Sequence, residues 1–263
     1  MIYKIKLILQ LLIHQSKYLH FFSLISLFFR SRYQQTSISL FGKKFQIADA
    51  WSFVIMFDEI FNKKIYQFPS AHPKPFIIDC GVNVGASLLF FKRLFPKSQI
   101  IGFEPDPKIY QIATKNISSF DLKNITLVQK ALWNTETTLH FASTGADGGR
   151  LGDKNLGQNI EVQTVSLRNY LTQKVDFLKI DIEGAEDTVL KDCADLLPNV
   201  ERMFVEYHSF ANQKQSLNQI LDILGQAGFR YYIERNGVRS PQPYLNIDTL
   251  IGMDLQLNIF AYR

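Results

Sequence analysis

The chain has 263 residues, of which 46% are hydrophobic and 22 are phenylalanine, enough for the core of one α/β domain. Its two cysteines, Cys80 and Cys193, lack the spacing of a metal site or a disulfide framework, which favours a reducing cytoplasm. The net charge of +5 is uneven, because seven basic residues and no acidic residue precede Asp49. The remainder holds 22 basic and 24 acidic residues, which argues against nucleic acid as a partner of residues 49–263.

The N-terminal segment is predicted to form a basic amphipathic helix. Its polar residues at helical spacing are Lys6, Gln10, His14 and Lys17. The apolar run at residues 21–29 is far shorter than the roughly 20 residues that cross a bilayer. The helix can therefore pack on the following domain, or residues 1–32 can make peripheral contact with the inner face of a membrane. A signal peptide is the weaker alternative, because Lys17 and His20 interrupt the apolar region.

Two further elements are predicted before the first glycine-rich turn. Residues 37–40 and 44–47 can pair as a hairpin around Gly42, and residues 48–61 follow a helical pattern. The predicted organisation is an N-terminal helix and hairpin over residues 1–48, followed by a single catalytic domain over residues 49–263.

The sequence of residues 76–103 predicts a strand, a glycine turn, a helix and a second strand. The β-branched run 76–80 enters a turn with Gly81 and Gly85, and the helix that follows is stopped by Pro96. The second strand, 99–103, ends at Glu104. In such a βαβ unit the ligand lies at the carboxyl ends of the strands, and an acid about 20 residues past the turn accepts hydrogen bonds from ribose hydroxyls. Glu104 has that position.

The spacing of the turn indicates which nucleoside cofactor is bound. Its pattern is G-x-N-x-G, so Asn83 stands where a dinucleotide fold needs a second glycine beside the pyrophosphate. S-adenosylmethionine has no phosphate, and its cationic groups are favoured by carboxylates such as Asp79, while its carboxylate can use the N–H groups of the turn. The alternative is that Gly81 and Gly85 only form a tight turn, and that Asp79 and Glu104 are ordinary strand-end acids.

A third apolar strand ends in a cluster of carboxylates. Asp181, Glu183 and Glu186 fall within six residues, and like charges this close raise one another's pKa, so a cation or a proton is expected beside them. The alternative is a solvated turn in which Glu186 begins the next helix, where a carboxylate suits the helix dipole.

These motifs resemble the FkbM-type family of S-adenosylmethionine-dependent methyltransferases. The resemblance covers about residues 50–235 and rests on order and spacing as well as on residue type. The matching motifs are Asp79-x-Gly81-x-Asn83-x-Gly85, Phe103-Glu104-Pro105 and Leu178-Lys179-Ile180-Asp181-Ile182-Glu183-Gly184-Ala185-Glu186.

The resemblance implies a Rossmann-like class I methyltransferase: an α/β fold with a seven-stranded, mostly parallel sheet and helices on both faces. It implies S-adenosylmethionine as cofactor and a hydroxyl of a sugar, glycan, glycolipid or other hydroxylated metabolite as acceptor. The methionine end would lie at the glycine turn, the ribose at Glu104, and the transferring methyl beside Asp181. Ala131 lies where this fold commonly contacts adenine, although strand-end packing explains it equally well. The implied cofactor-binding set is Asp79, Gly81, Val82, Asn83, Gly85, Glu104, Pro105, Ala131 and Asp181.

A hydroxyl acceptor must also lose its proton. The candidate bases are Asp181, Glu183 and His208, the last at the end of a predicted strand over 202–206. No metal is expected, although Asp181, Glu183 and Glu206 could together bind Mg²⁺. A glycine-containing loop around Gly149 can act either as a lid or as a simple surface turn.

Two other functions remain open from the sequence. One is an NAD-dependent or nucleotide-sugar-dependent Rossmann enzyme, and the other is a noncatalytic, membrane-associated binding protein. The sequence does not indicate the oligomeric state.

Overall fold

The computed structural model describes residues 21–143, 145, 149–151, 158–237, 239–249 and 252–263. The predicted amphipathic helix before residue 21 lies outside these residues, as do Asp147, Gly148 and Gly152 of the glycine-containing loop.

The described residues form an α/β fold. In chain order the strands are β1 (Thr36–Leu40), β2 (Lys43–Ile47), β3 (Phe76–Cys80), β4 (Gln99–Phe103), β5 (Ile125–Val128), β6 (Ala131–Leu132), β7 (Thr138–Ser143), β8 (Arg150–Leu151), β9 (Gln158–Val165), β10 (Phe177–Ile180), β11 (Arg202–Phe210), β12 (Arg230–Asn236) and β13 (Met253–Tyr262). The α-helices are α1 (Phe21–Leu27), α2 (Ala50–Phe57), α3 (Ala86–Leu94), α4 (Pro107–Ser119), α5 (Glu186–Asp192) and α6 (Leu217–Gln226). A π-helical turn, Asp58–Asn62, continues α2, and 3-10 helices cover Leu167–Tyr170 and Ala194–Asn199.

The central sheet has seven strands in the order β12-β13-β11-β10-β3-β4-β5. Strands β11, β10, β3, β4 and β5 pair in parallel, whereas β13 runs antiparallel to both β11 and β12. This arrangement confirms the predicted class I methyltransferase sheet. All four residues of β10 are buried, as expected for a parallel strand covered on both faces.

The register between neighbouring strands brings polar side chains from distant parts of the sequence together at the site. Asp79 of β3 is the register partner of Lys179 of β10, although 100 residues of sequence separate them. Strand β11 continues to Phe210, beyond the predicted end at residue 206, because it keeps pairing with β13. His208 therefore lies within a strand, and its side chain is fixed by the sheet.

The N-terminal elements pack on the sheet domain. The amide of Asn116 on α4 exchanges two hydrogen bonds with the backbone of Gln46 on β2, at 2.7 and 2.8 Å. Leu24 and Leu27 of α1 are buried in the same core as Phe91 of α3. Within the described part of the chain, no helix is both long enough and apolar enough to cross a membrane.

Candidate active site

A cavity of about 500 Å³ opens at the carboxyl ends of β3, β4, β10 and β11, a volume typical of small-molecule sites. Eight of the residues proposed from the sequence line it, namely Gly81, Val82, Asn83, Glu104, Pro105, Ala131, Asp181 and Glu183. Three other proposed residues, Asp79, Gly85 and His208, are not among the described residues that line the cavity.

The glycine turn is shaped by close packing against β10. Gly81 has φ +95°, and a Cβ there would lie 1.9 Å from the backbone oxygen of Asp181. Asn83 also has a left-handed backbone, φ +52°, and its Oδ1 accepts a hydrogen bond from the N–H of Val84 at 2.6 Å. Glycine and asparagine are therefore the residue types that this turn tolerates.

Gly85 has a different place from the one proposed. It is the N-cap of α3, and its φ of +89° is a left-handed backbone that favours glycine. Its position thus serves the start of the helix, and direct contact with a cofactor in the cavity is not supported.

Glu104, directly after β4, connects this strand to the glycine turn after β3 at the cavity wall. Its Oε2 accepts a hydrogen bond from the N–H of Asn83 at 2.9 Å, and its Oε1 accepts one from the N–H of Asp106 at 3.0 Å. Burial raises the pKa of Glu104 to about 8, against the opposing effect of these two donors. Each oxygen keeps a second lone pair that a ligand hydroxyl can use.

Asp79, proposed as a cofactor contact, is instead a buried support. Its side chain is fully buried, with Oδ2 accepting from the hydroxyl of Ser87 at 2.5 Å and Oδ1 lying 3.3 Å from Nζ of Lys179. Lys179 also lies 3.2 Å from Oδ2 of Asp181 and donates to the carbonyl of Gly81 at 2.7 Å. Burial would lower the pKa of Lys179, but Asp181 and Asp79 outweigh it and raise that pKa. The cation expected from the clustered carboxylates is thus supplied by the chain itself.

His208 is buried between two carboxylates. Its Nδ1 lies 2.9 Å from Oε1 of Glu186, and its Nε2 lies 3.7 Å from Oε2 of Glu183. Burial opposes the charged ring, but Glu183 and Glu186 outweigh it and hold the pKa of His208 well above its ordinary value. The proposal of His208 as a base that contacts the acceptor is not supported, because its ring is 1% exposed and the described cavity wall does not include it.

Glu186 begins α5, as the alternative interpretation of the sequence had it, but it is 2% exposed, so the solvated turn of that interpretation is wrong at this residue. Its Oε1 also accepts hydrogen bonds from the backbone N–H groups of Gly184 and Ile182, at 3.0 and 3.3 Å. It closes the turn that presents Glu183, whose backbone is left-handed at φ +55°.

Several wall residues had not been proposed as site residues from the sequence. They are Glu59, Tyr66, Lys179, Arg235, Asn236 and Gln256. Glu59 enters through the π-helical turn, a feature often found at functional sites, and local sequence gives little sign of such a turn. Glu206, considered only as a magnesium ligand, also lines the cavity.

Asp181, Glu206 and His208 are close enough to hold one metal ion, with ligand atoms within 4.8 Å of one another. This group differs from the sequence-based set in containing His208 rather than Glu183. Two of these three side chains already have a partner within the chain, since Asp181 contacts Lys179 and His208 contacts Glu186.

Comparisons with known proteins agree with these features. The model of the methyltransferase FkbM domain matches residues 79–231. Methyltransferase sdnD of Sordaria araneosa is 28% identical over 173 residues, covering 52% of this chain and 67% of that protein. The 2-O-methyltransferase NoeI of Sinorhizobium fredii is 25% identical over 176 residues, covering 58% of this chain and 72% of that protein.

A solved structure shares the fold. The crystal structure of methyltransferase FkbM from Methylobacillus flagellatus superposes with a TM-score of 0.51 at 14% identity, covering 77% of this chain and 46% of that one. The chain therefore spans less than half of that protein. Since the family model covers more than half of this chain and includes all three motifs, the chain is a methyltransferase of the FkbM domain family.

Proposed function

We propose that this protein is an S-adenosylmethionine-dependent O-methyltransferase that methylates a hydroxyl of a sugar, glycan, glycolipid or other hydroxylated metabolite. The observation that carries the proposal is that the Gly81 turn, Glu104 and Asp181 face one cavity. The name of the relative NoeI, a 2-O-methyltransferase, supports a hydroxyl acceptor.

The geometry favours S-adenosylmethionine over a dinucleotide or a nucleotide sugar. The N–H of Asn83 already donates to the carboxylate of Glu104 at 2.9 Å. A pyrophosphate at this turn would therefore find that donor already taken. A cationic sulfonium needs no such donor, and the carboxylate of Asp181 attracts it.

The residues of the wall fit the parts of this cofactor. Gly81, Val82 and Asn83 would bind its methionine end, Glu104 its ribose, and Ala131 its adenine. When bound, the cofactor supplies an electrophilic methyl carbon on a sulfonium. The chain contributes alignment of the acceptor and exclusion of water, which supply most of the acceleration in such a displacement.

The membership in a methyltransferase family weighs against a noncatalytic binding protein. Peripheral membrane contact through residues 1–32 and a cytoplasmic location stay predictions.

Titration calorimetry with S-adenosylhomocysteine and, separately, with NADH tests the cofactor. We expect binding of the first and none of the second. At pH 9, above the pKa of about 8 of Glu104, the variant Glu104→Ala should weaken the binding by about 1 to 3 kcal/mol, the usual effect of losing a charged hydrogen-bond partner. Glu234→Ala, on the exposed side of β12, is the control and should leave the affinity unchanged. Tight NADH binding without affinity for S-adenosylhomocysteine would establish the dinucleotide alternative.

The acceptor class is tested by transfer of label from S-[methyl-³H]adenosylmethionine to a panel of neutral p-nitrophenyl glycosides. We expect at least one glycoside to gain a methyl ether, identified by mass spectrometry. A protein that binds S-adenosylhomocysteine and labels none of them would contradict the sugar acceptor and leave the cofactor assignment standing.

A further inference from the structure

The backbone N–H groups of the glycine turn, residues 81–85, all have partners within the chain. Their acceptors are the carbonyls of Phe103 and Val82, the carboxylate of Glu104 and Oδ1 of Asn83, at 2.6 to 3.1 Å. A ligand carboxylate that bound these N–H groups would have to displace one of these bonds. The structure therefore favours a different donor for the carboxylate of the cofactor.

The N-terminal elements lie directly against this turn. The side-chain amide of Asn116 donates to the carbonyls of Gln46 and Val84, both at 2.8 Å, and so connects strand β2 to the turn. Asp49, two residues after β2, and Asn83 of the turn line one small pocket between these elements. The segment that contains Asp49 thus borders the place proposed for the methionine end of the cofactor.

Arg32 is held at this place by Asp49. Its Nε donates to both carboxylate oxygens of the buried Asp49, at 3.0 and 2.8 Å. Asp49 also accepts hydrogen bonds from the N–H groups of Tyr33 and Ser52, at 2.6 and 3.0 Å, so several donors share its charge. A guanidinium has five N–H donors, and these contacts of Arg32 use the one on Nε. Its side chain is 44% exposed and lines the cavity, where its Nη groups can meet a ligand.

The other cations of the described cavity wall are placed differently. Lys179 is buried and already contacts two carboxylates, and Lys63 contacts Asp58 at 3.1 Å. The remaining three lie on or beside strands that do not pair with β3, and they are Lys130, Arg150 and Arg235. Arg32 is therefore the exposed cation of the described wall whose contacts lead to the glycine turn.

We propose, on the basis of the proposed function, that the Nη groups of Arg32 bind the carboxylate at the methionine end of S-adenosylmethionine. The planar fork of a guanidinium matches a carboxylate in two parallel hydrogen bonds, and it keeps its charge at ordinary pH. The glycine turn then contacts the methionine end without donating to its carboxylate. Arg32 precedes residue 79, where the match to the family model begins, so the N-terminal elements would complete the cofactor site.

Arg32→Met tests this contact through binding rather than turnover. Calorimetry at one fixed pH compares S-adenosylhomocysteine with its decarboxylated analogue, in which a hydrogen replaces the carboxylate. The variant should bind S-adenosylhomocysteine about tenfold to a hundredfold more weakly, the usual effect of losing a charged hydrogen-bond partner. It should bind the analogue within about threefold of the wild type, because the two changes remove the same contact.

Two further variants serve as references. Arg32→Lys keeps a positive charge without the fork, so its affinity for S-adenosylhomocysteine should lie between those of Arg32→Met and the wild type. Arg235→Met removes another exposed arginine of the wall and should keep this affinity within about twofold of the wild type. Retained binding of the analogue by Arg32→Met shows that this variant is folded.

Each outcome has a defined consequence. Unchanged affinity of Arg32→Met for S-adenosylhomocysteine would overturn this contact and return the carboxylate to the N–H groups of the turn. Equal losses for S-adenosylhomocysteine and the analogue would show that Arg32 supports the fold of the site, and an equal loss in Arg235→Met would show a general effect of charge; either result would overturn the contact. A wild-type protein that binds neither ligand would overturn the proposed function itself.

Discussion

Nζ of Lys179 lies 3.3 Å from Oδ1 of Asp79, across the boundary between two parallel strands that are 100 residues apart in the chain. The same ammonium also contacts Asp181 and the carbonyl of Gly81. One buried cation therefore holds the glycine turn, strand β3 and Asp181 together at the wall of the cavity.

Lys179→Met should strongly destabilise the fold, because it leaves Asp79 and Asp181 without their cation. Breaking a buried pair in this way costs about 3 to 5 kcal/mol. The control is Lys174→Met, since Lys174 pairs with Glu201 at the surface and is 65% exposed. That variant should cost less than about 1 kcal/mol. Urea unfolding measures both, and an equal cost for the two variants would contradict the structural role of Lys179.

Gly81→Ala should remove cofactor binding as well as stability. Its new Cβ would meet the backbone oxygen of Asp181 at 1.9 Å, which forces β3 and β10 apart. Gly228→Ala is a matched control, because Gly228 also has a positive φ, +83°, but has nothing within 4 Å of a Cβ. The control should cost about 1 to 2 kcal/mol of backbone strain and keep its affinity for S-adenosylhomocysteine. If both variants bind equally well, the turn is not part of the cofactor site.

The affinity for S-adenosylhomocysteine should increase with pH because of Glu104. Ribose hydroxyls donate to the ionised carboxylate, and the pKa of Glu104 is raised to about 8 by burial. Below that pH the group is mostly protonated, so the dissociation constant should fall roughly tenfold between about pH 7 and pH 9. The amine of the ligand also titrates in this range, and Glu104→Gln therefore serves as the reference. Parallel pH profiles for the two proteins would exclude this role.

Glu59→Gln should change how stability depends on pH. Burial, opposed by Lys63, raises the pKa of Glu59 to about 7 from 4.5. Between these values the folded protein holds a proton that the unfolded chain has lost, so the wild type loses stability as pH rises through this window. Relative to Glu59→Gln, the loss should be about 1 to 3 kcal/mol and complete by about pH 8. Urea unfolding of both proteins across this range measures it, and a constant difference between them would show that Glu59 titrates normally.

Local patterns in the sequence predicted much of the framework. Strands β3 and β4 begin and end at the predicted residues. These features depend on β-branched runs, glycine and proline, whose backbone preferences act over a few residues. The strand β11 was predicted too short, because its last residues include polar side chains that only pairing with β13 keeps buried.

By itself the sequence determined the sheet, the glycine turn, and the presence of Glu104 and Asp181 at strand ends. Only the tertiary structure decided that Asp79 contacts Lys179, that His208 contacts Glu186, and that Glu206 lies in the cavity wall. The physical reason is that a carboxylate's role depends on which charges and donors lie within a few ångströms, and strand register brings these together from distant parts of the chain.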